Sequence, residues 1–269
     1  MKRWKKCCQQ TRFWIKARVM SRKVGIAILL VAFAQFVVPM LPAIGIGEPI
    51  GARGDVAVRP PELPPGPFFS IWSLIFLSYT IFAVLSLWKP GYLEHRLAMP
   101  LLFAGIGNLV WMVSAQSLAN QYADLVLLIP ILAFSWLAAR RLHRMGGFDG
   151  TLARLNACML TGLFSGWITA ALSISLAATW REAAGLAPSD HVWVSLWIAL
   201  LSAGLLAWVF ASRVSASLFY FAALGWGIAG IAVNNWYLTD MHWLSAAAAL
   251  FGLYILWRRL RYGARPSFE

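Results

Sequence analysis

Apolar residues in this chain run in long continuous blocks rather than alternating with polar ones. Eight blocks stand out, at 24–46, 68–88, 99–119, 123–142, 156–180, 192–212, 215–236 and 242–258. Each is near the roughly 20 residues that carry an α-helix across the hydrocarbon core of a bilayer. None has a charge near its centre. A spanning β-barrel would instead show segments of about ten residues alternating in and out. The pattern therefore predicts an all-α, polytopic transmembrane helix bundle of about eight spans.

Composition fits that solvent. The 269 residues are 60% hydrophobic and 12% charged, whereas a soluble domain carries about 25% charged residues. A net charge of +13 would suit a nucleic-acid partner, but its placement does not. Nine basic residues fall in the first 23 positions: Lys2, Arg3, Lys5, Lys6, Arg12, Lys16, Arg18, Arg22 and Lys23. With that tail inside, eight alternating spans put 20 of the 23 Lys and Arg inside, leaving only Arg53, Arg59 and Arg181 outside. Cytoplasmic enrichment of Lys and Arg sets orientation, so both termini are expected in the cytoplasm. The basic charge is then a topology signal; membrane lipid, not nucleic acid, is the expected partner. The first block is longer than the 7–15-residue core of a cleaved signal peptide and reads as a signal anchor. Trp4, Phe13, Trp14 and Ile15 would let the tail lie on the membrane as an amphipathic helix.

Few residues offer chemistry. No Asp, Glu, Lys, Arg or His lies deep in a block, which disfavours proton relays and ion-coupled pumping. No cluster has metal-ligand spacing, and no histidine is placed to ligate a haem between facing helices. Three cysteines, Cys7, Cys8 and Cys158, give no disulfide framework. No catalytic residues are predicted, and an enzyme is the less favoured class. Asp124 opens the fourth block, where helix capping is its first expected role. Ala222, Gly225 and Ala229 share one face of the seventh block and predict close helix packing.

The conspicuous feature is tryptophan, fifteen residues in all. Trp88, Trp180, Trp193, Trp236, Trp243 and Trp257 sit at block ends, as interfacial belt residues do. Trp72, Trp111, Trp136, Trp167 and Trp226 lie deeper, where each indole N–H needs a partner. With the topology above, Trp72, Phe76, Asn108, Trp111 and Trp167 fall in the middle or outer half of the membrane. Above them lies the longest loop, 47–67, rich in Pro and Gly and stiff enough to serve as a lid.

Four motifs run in order along the first five blocks. Before and into the second block stands LPPGPFFSIWSLIF, with Pro64 and Pro65, then Phe68 or Phe69, then Trp72-x-x-Ile75-Phe76. The third block holds GNLVW, with Asn108 and Trp111; the fourth opens with ADLVLL, which contains Asp124; the fifth holds SGWITAALSIS, with Trp167. These resemble the TspO/translocator-protein family, the tryptophan-rich sensory proteins. The chain departs from the family pattern in three ways. The prolines and Trp72 are shifted by one residue, Ile174-Ser175 stands where the family has Leu-Asn, and three further blocks follow.

The resemblance covers about 24–180, which it implies is a five-helix bundle, followed by an additional three-helix segment at 181–258. Residues 1–23 and 259–269 are then cytoplasmic tails. It further implies a cavity for a flat hydrophobic ligand, a tetrapyrrole such as a porphyrin or haem, closed by the loop between the first two helices. The ligand-binding residues carried over are Pro64, Pro65, Phe69, Trp72, Phe76, Asn108, Trp111, Asp124 and Trp167. The expected role is sensory, regulatory or transport, in a bacterial cytoplasmic (inner) membrane. The alternatives are an uncoupled small-molecule transporter and an assembly or scaffold subunit, with a homodimer or a membrane complex as partner.

Overall fold

The computed structural model describes residues 22–50, 58–88, 97–118, 120–144 and 150–263. The proposed amphipathic tail, Cys7, Cys8 and the middle of loop 47–67 lie outside the described residues. Every regular element among those described is helical. Helix α1 covers 22–37 and tightens into a 3-10 segment, Val38–Ile44, at Pro39 and Pro42. Proline lacks the N–H that an α-helix needs, so the α path cannot continue there. A second 3-10 turn, Gly66–Ser70, leads into α2, Ile71–Trp88. Then follow α3, Ala98–Ser117; α4, Gln121–His143; α5, Thr151–Ala183; α6, Val192–Arg213; α7, Leu218–Tyr237; and α8, His242–Leu260.

Seven of these helices, with α1 and its 3-10 extension counted as one, are long and apolar enough to cross a membrane. The block at 242–258 also forms a helix. It is less apolar because His242, Arg258 and Arg259 occupy its ends, leaving an uncharged stretch short of the roughly 20 residues a span needs. The outer surface of the bundle is apolar, with Leu30, Phe33, Leu77, Val126, Leu201, Leu205 and Leu253 all exposed.

Helix α5 is the hub. At 33 residues it is about 50 Å long, against a hydrocarbon core of about 30 Å. It packs along α4 on one side and α7 on the other, and also touches α2 and α6. The α5–α7 seam is close because α5 presents Gly162 and Gly166 to it. A Cβ on Gly162 would stand 2.6 Å from the Phe219 Cβ, and one on Gly166 would run into the Tyr220 carbonyl. Close backbone approach of this kind in membranes goes with small residues at the seam.

The α7 face that packs is not the one predicted. Ala222 and Ala229 are exposed, and Gly225 makes ordinary contact with Leu256 of α8. The buried face runs through Tyr220, Ala223, Gly227, Ile231 and Asn234. Small residues occur at helical spacing on both faces, so spacing alone did not choose between them. Buried polar groups tie the helices further. The Tyr220 hydroxyl donates to Thr169 Oγ1 at 3.1 Å, Tyr79 to the Leu101 carbonyl at 2.8 Å, and Asn156 to the Ser78 carbonyl at 3.2 Å.

Candidate functional site

The end of the bundle that carries residues 58–67 holds a cavity of about 230 Å³. Four helices and the loop build it. From α5 come Trp167, Ala171, Ile174, Ser175 and Ala178, one face at helical spacing. Helix α3 contributes Trp111 and Ala115 one turn apart, α4 contributes Gln121, Asp124 and Leu128, and the 3-10 turn and α2 contribute Phe69 and Trp72. The roof consists of Ile50, Pro60, Glu62 and Leu63.

Trp72 is the centre of the aromatic wall. Its ring centroid lies 6.1 Å from that of Trp111 and 6.2 Å from that of Trp167, which it meets edge-on. Phe69 meets Trp167 edge-on at 5.8 Å. Such geometries place positive ring edges against negative faces. The indole N–H groups of Trp72 and Trp111 are buried and have no hydrogen-bond acceptor among the described residues. A polar strip faces this wall. Gln121 Nε2 donates to Ser175 Oγ at 2.7 Å, so the serine that replaces the family's asparagine lies on the cavity. Asp124 is buried in the first turn of α4, but the cap of that helix is Asn120, whose Oδ1 accepts from the Ala123 N–H at 3.0 Å. The capping role expected of Asp124 therefore belongs to Asn120.

The roof is held by residues that the sequence motifs did not single out. Glu62 is 1% exposed and pairs with Arg181 at the end of α5. Arg181 also donates to Ser195 Oγ of α6, and that hydroxyl donates to Glu62 Oε2 at 2.8 Å. Asn234 and Asn235 of α7 donate to the carbonyls of Pro60 and Pro61 at 3.0 and 2.6 Å. Arg59 Nε donates to Asn234 Oδ1 at 3.1 Å. Below them Trp226 donates to the Phe68 carbonyl at 2.8 Å, and the two rings are in contact. One signal for this roof was visible in the sequence: two adjacent amides, Asn234-Asn235, near the end of an apolar block.

Of the nine residues carried over, Phe69, Trp72, Trp111, Asp124 and Trp167 line the cavity. Four others stand behind it. Pro64 packs toward Gly230 of α7, and Pro65 precedes the 3-10 turn, its carbonyl accepting from the Phe68 N–H at 3.0 Å. Phe76 stacks behind Trp72 at 5.3 Å, and Asn108 is fully buried beside Met112. Trp136 packs on Phe210 away from the cavity, and Trp226 is partly exposed. No group of three or more His, Cys, Asp or Glu is placed to hold a metal ion among the described residues.

No curated protein and no solved structure matches the chain. Residues 25–257 match the family described as TSPO-like protein. That stretch takes in the three tryptophans, the roof and all of α6 and α7, and the chain belongs to the TSPO-like protein family.

Proposed function

We propose that this TSPO-like membrane protein binds a flat, predominantly apolar ligand of the tetrapyrrole type between the tryptophan wall and the 58–65 roof. The observation that carries the reading is the convergence of Trp72, Trp111 and Trp167, from three different helices, on one roofed cavity. Aromatic walls with a few fixed polar groups are the usual make-up of a small-molecule site. The polar groups here are the Gln121–Ser175 pair and Asp124.

Volume adds a condition. Small-molecule pockets commonly enclose about 300–1,000 Å³, and this one encloses about 230 Å³. A macrocycle therefore needs the roof or the indoles to move outward, and such movement would also bring the Trp72 and Trp111 N–H groups within reach of a ligand acceptor. Under the charge-derived orientation, ligand arrives from the outer leaflet. A role in sensing or moving such a ligand follows from binding; the buried Glu62 is already paired with Arg181 in the roof.

The test is titration of the purified protein with protoporphyrin IX while intrinsic tryptophan fluorescence is recorded. Saturable quenching is expected, and it should weaken at least tenfold in a Trp111→Ala/Trp167→Ala variant. Linear, unsaturable quenching in the parent protein would refute the reading.

A further inference from the structure

We infer that α6, α7 and the end of α5 form a latch on the cavity roof, and that release of this latch sets the rate at which ligand enters and leaves. The inference rests on the ligand-binding reading for the second half of that statement only.

The roof backbone is short of its own donors. Four of the six residues at 60–65 are proline, so the segment has few N–H groups and cannot satisfy its own carbonyls through regular structure. Locally, the Leu63 N–H reaches the Pro60 carbonyl at 3.3 Å and Arg59 reaches the Pro64 carbonyl at 3.4 Å; further donors come from outside the loop. Asn234 and Asn235 of α7 serve Pro60 and Pro61, and Trp226 of α7 serves Phe68. The one roof side chain that is both ionisable and fully buried, Glu62, takes its partners from Arg181 and Ser195. Gly230 gives the roof its seat, because a Cβ there would stand 2.7 Å from Pro64 Cβ.

The placement of these anchors matters. They come from the far side of α5, whereas Trp111, Ala115, Asp124 and Leu128 of the opposite cavity wall come from α3 and α4. The start of the loop is tied to α3 instead, where the Glu48 N–H donates to the Gln116 carbonyl at 2.9 Å. Gly47, at φ +75°, lies so close to that carbonyl that a Cβ has no room. The described parts of the loop are therefore fastened at two separate places. Freeing the α5–α7 anchors opens the cavity while the attachment to α3 stays in place. Proline stiffness makes residues 60–65 move as one piece.

The experiment measures opening without ligand and exchange with it. Ala115, 3% exposed and under the roof, is replaced by cysteine in a Cys7→Ser/Cys8→Ser/Cys158→Ala background. The rate of labelling by a water-soluble maleimide then reports opening. Asn234→Ala/Asn235→Ala, which leaves the buried Glu62–Arg181 pair intact, and Arg181→Gln should each raise that rate at least tenfold. Asn156→Ala, which removes a 3.2 Å bond to the Ser78 carbonyl near the opposite end of α5 from the roof, should leave it unchanged and so controls for general loosening. Stopped-flow quenching with protoporphyrin IX should show association and dissociation both accelerated in the latch variants, with Kd changed less than either rate. Equal labelling rates in parent and latch variants would overturn the latch. Faster labelling with unchanged protoporphyrin rates would overturn its control of exchange. Faster labelling with no saturable quenching in the parent would support the latch and overturn the ligand-binding reading.

Discussion

Removing Arg181 alone should harm the protein far more than removing Arg181 and Glu62 together. The two side chains are 7% and 1% exposed, so neither charge has water to fall back on. Arg181→Leu leaves the Glu62 carboxylate buried with Ser195 as its remaining described partner. Breaking a buried pair in this way costs about 3–5 kcal/mol. Replacing both members with apolar residues of similar volume is often neutral or stabilising, because the desolvation cost of both ions disappears with their attraction. The Glu62→Leu/Arg181→Leu double variant should therefore recover most of the loss, a coupling of roughly 3 kcal/mol between positions 119 apart in the chain. In a protein of this size each kcal/mol moves Tm by about 2–4 °C. The single variant should then melt about 6–20 °C below the parent, and the double variant within a few degrees of it. Thermal unfolding in detergent, followed by near-ultraviolet circular dichroism, reads both. Additive losses would mean that the two side chains are not paired in the folded protein, and the account of the roof built on them would fail.

Two further outcomes follow from glycines that sit where backbones meet. Gly166→Ala should force α5 and α7 apart, because the new methyl runs into the Tyr220 carbonyl and lies 3.0 Å from Ala223 Cβ. Overpacking of this kind costs about 1–3 kcal/mol or more, and a fall in Tm together with loss of the Tyr220–Thr169 bond would show it. Gly230→Ala sets a smaller conflict, since alanine gains about 1 kcal/mol of helix propensity while its methyl presses on Pro64 and Phe68. Global stability should change little, but maleimide labelling at a cysteine placed at 115 should quicken as the roof is lifted.

The helices were legible because lipid imposes one strong rule: an apolar run must satisfy its backbone internally. That rule fixes where a helix is and says little about how it is rotated. Trp72, Trp111 and Trp167 meet because their helices happen to turn them toward one another. Trp226, at comparable depth by sequence, points partly outward and bonds to Phe68 instead. Asn108 shows the same limit, since it lies one turn from Trp111 yet faces packed side chains rather than the cavity. Glu62 was illegible for another reason. In sequence it is a loop acid, and only the fold brings Arg181 and Ser195 to it. The apolar block that marked the fifth span ended at 180, whereas α5 continues to Ala183. The three residues beyond that boundary include the one cation that matters most to the roof.

Arg181, at the end of α5, also joins the helices beyond the fifth to the loop between the first two. The TSPO-like match runs through them to residue 257, and their packing explains how they belong with the first five. Were the chain to stop at 180, Glu62 would lose Arg181 and Ser195, and Pro60 and Pro61 would lose their amide donors. The Gly162–Gly166 face of α5 would also be left without α7 against it. A five-helix version of this sequence would need other means to hold its roof and to cover that face. Helices α6 and α7 supply both: they complete the packing around α5, and through Ser195, Asn234 and Asn235 they reach over its end to fix the loop above the tryptophans. Helix α8 bonds to α7 through Ser245 and so supports the element that carries most of those contacts.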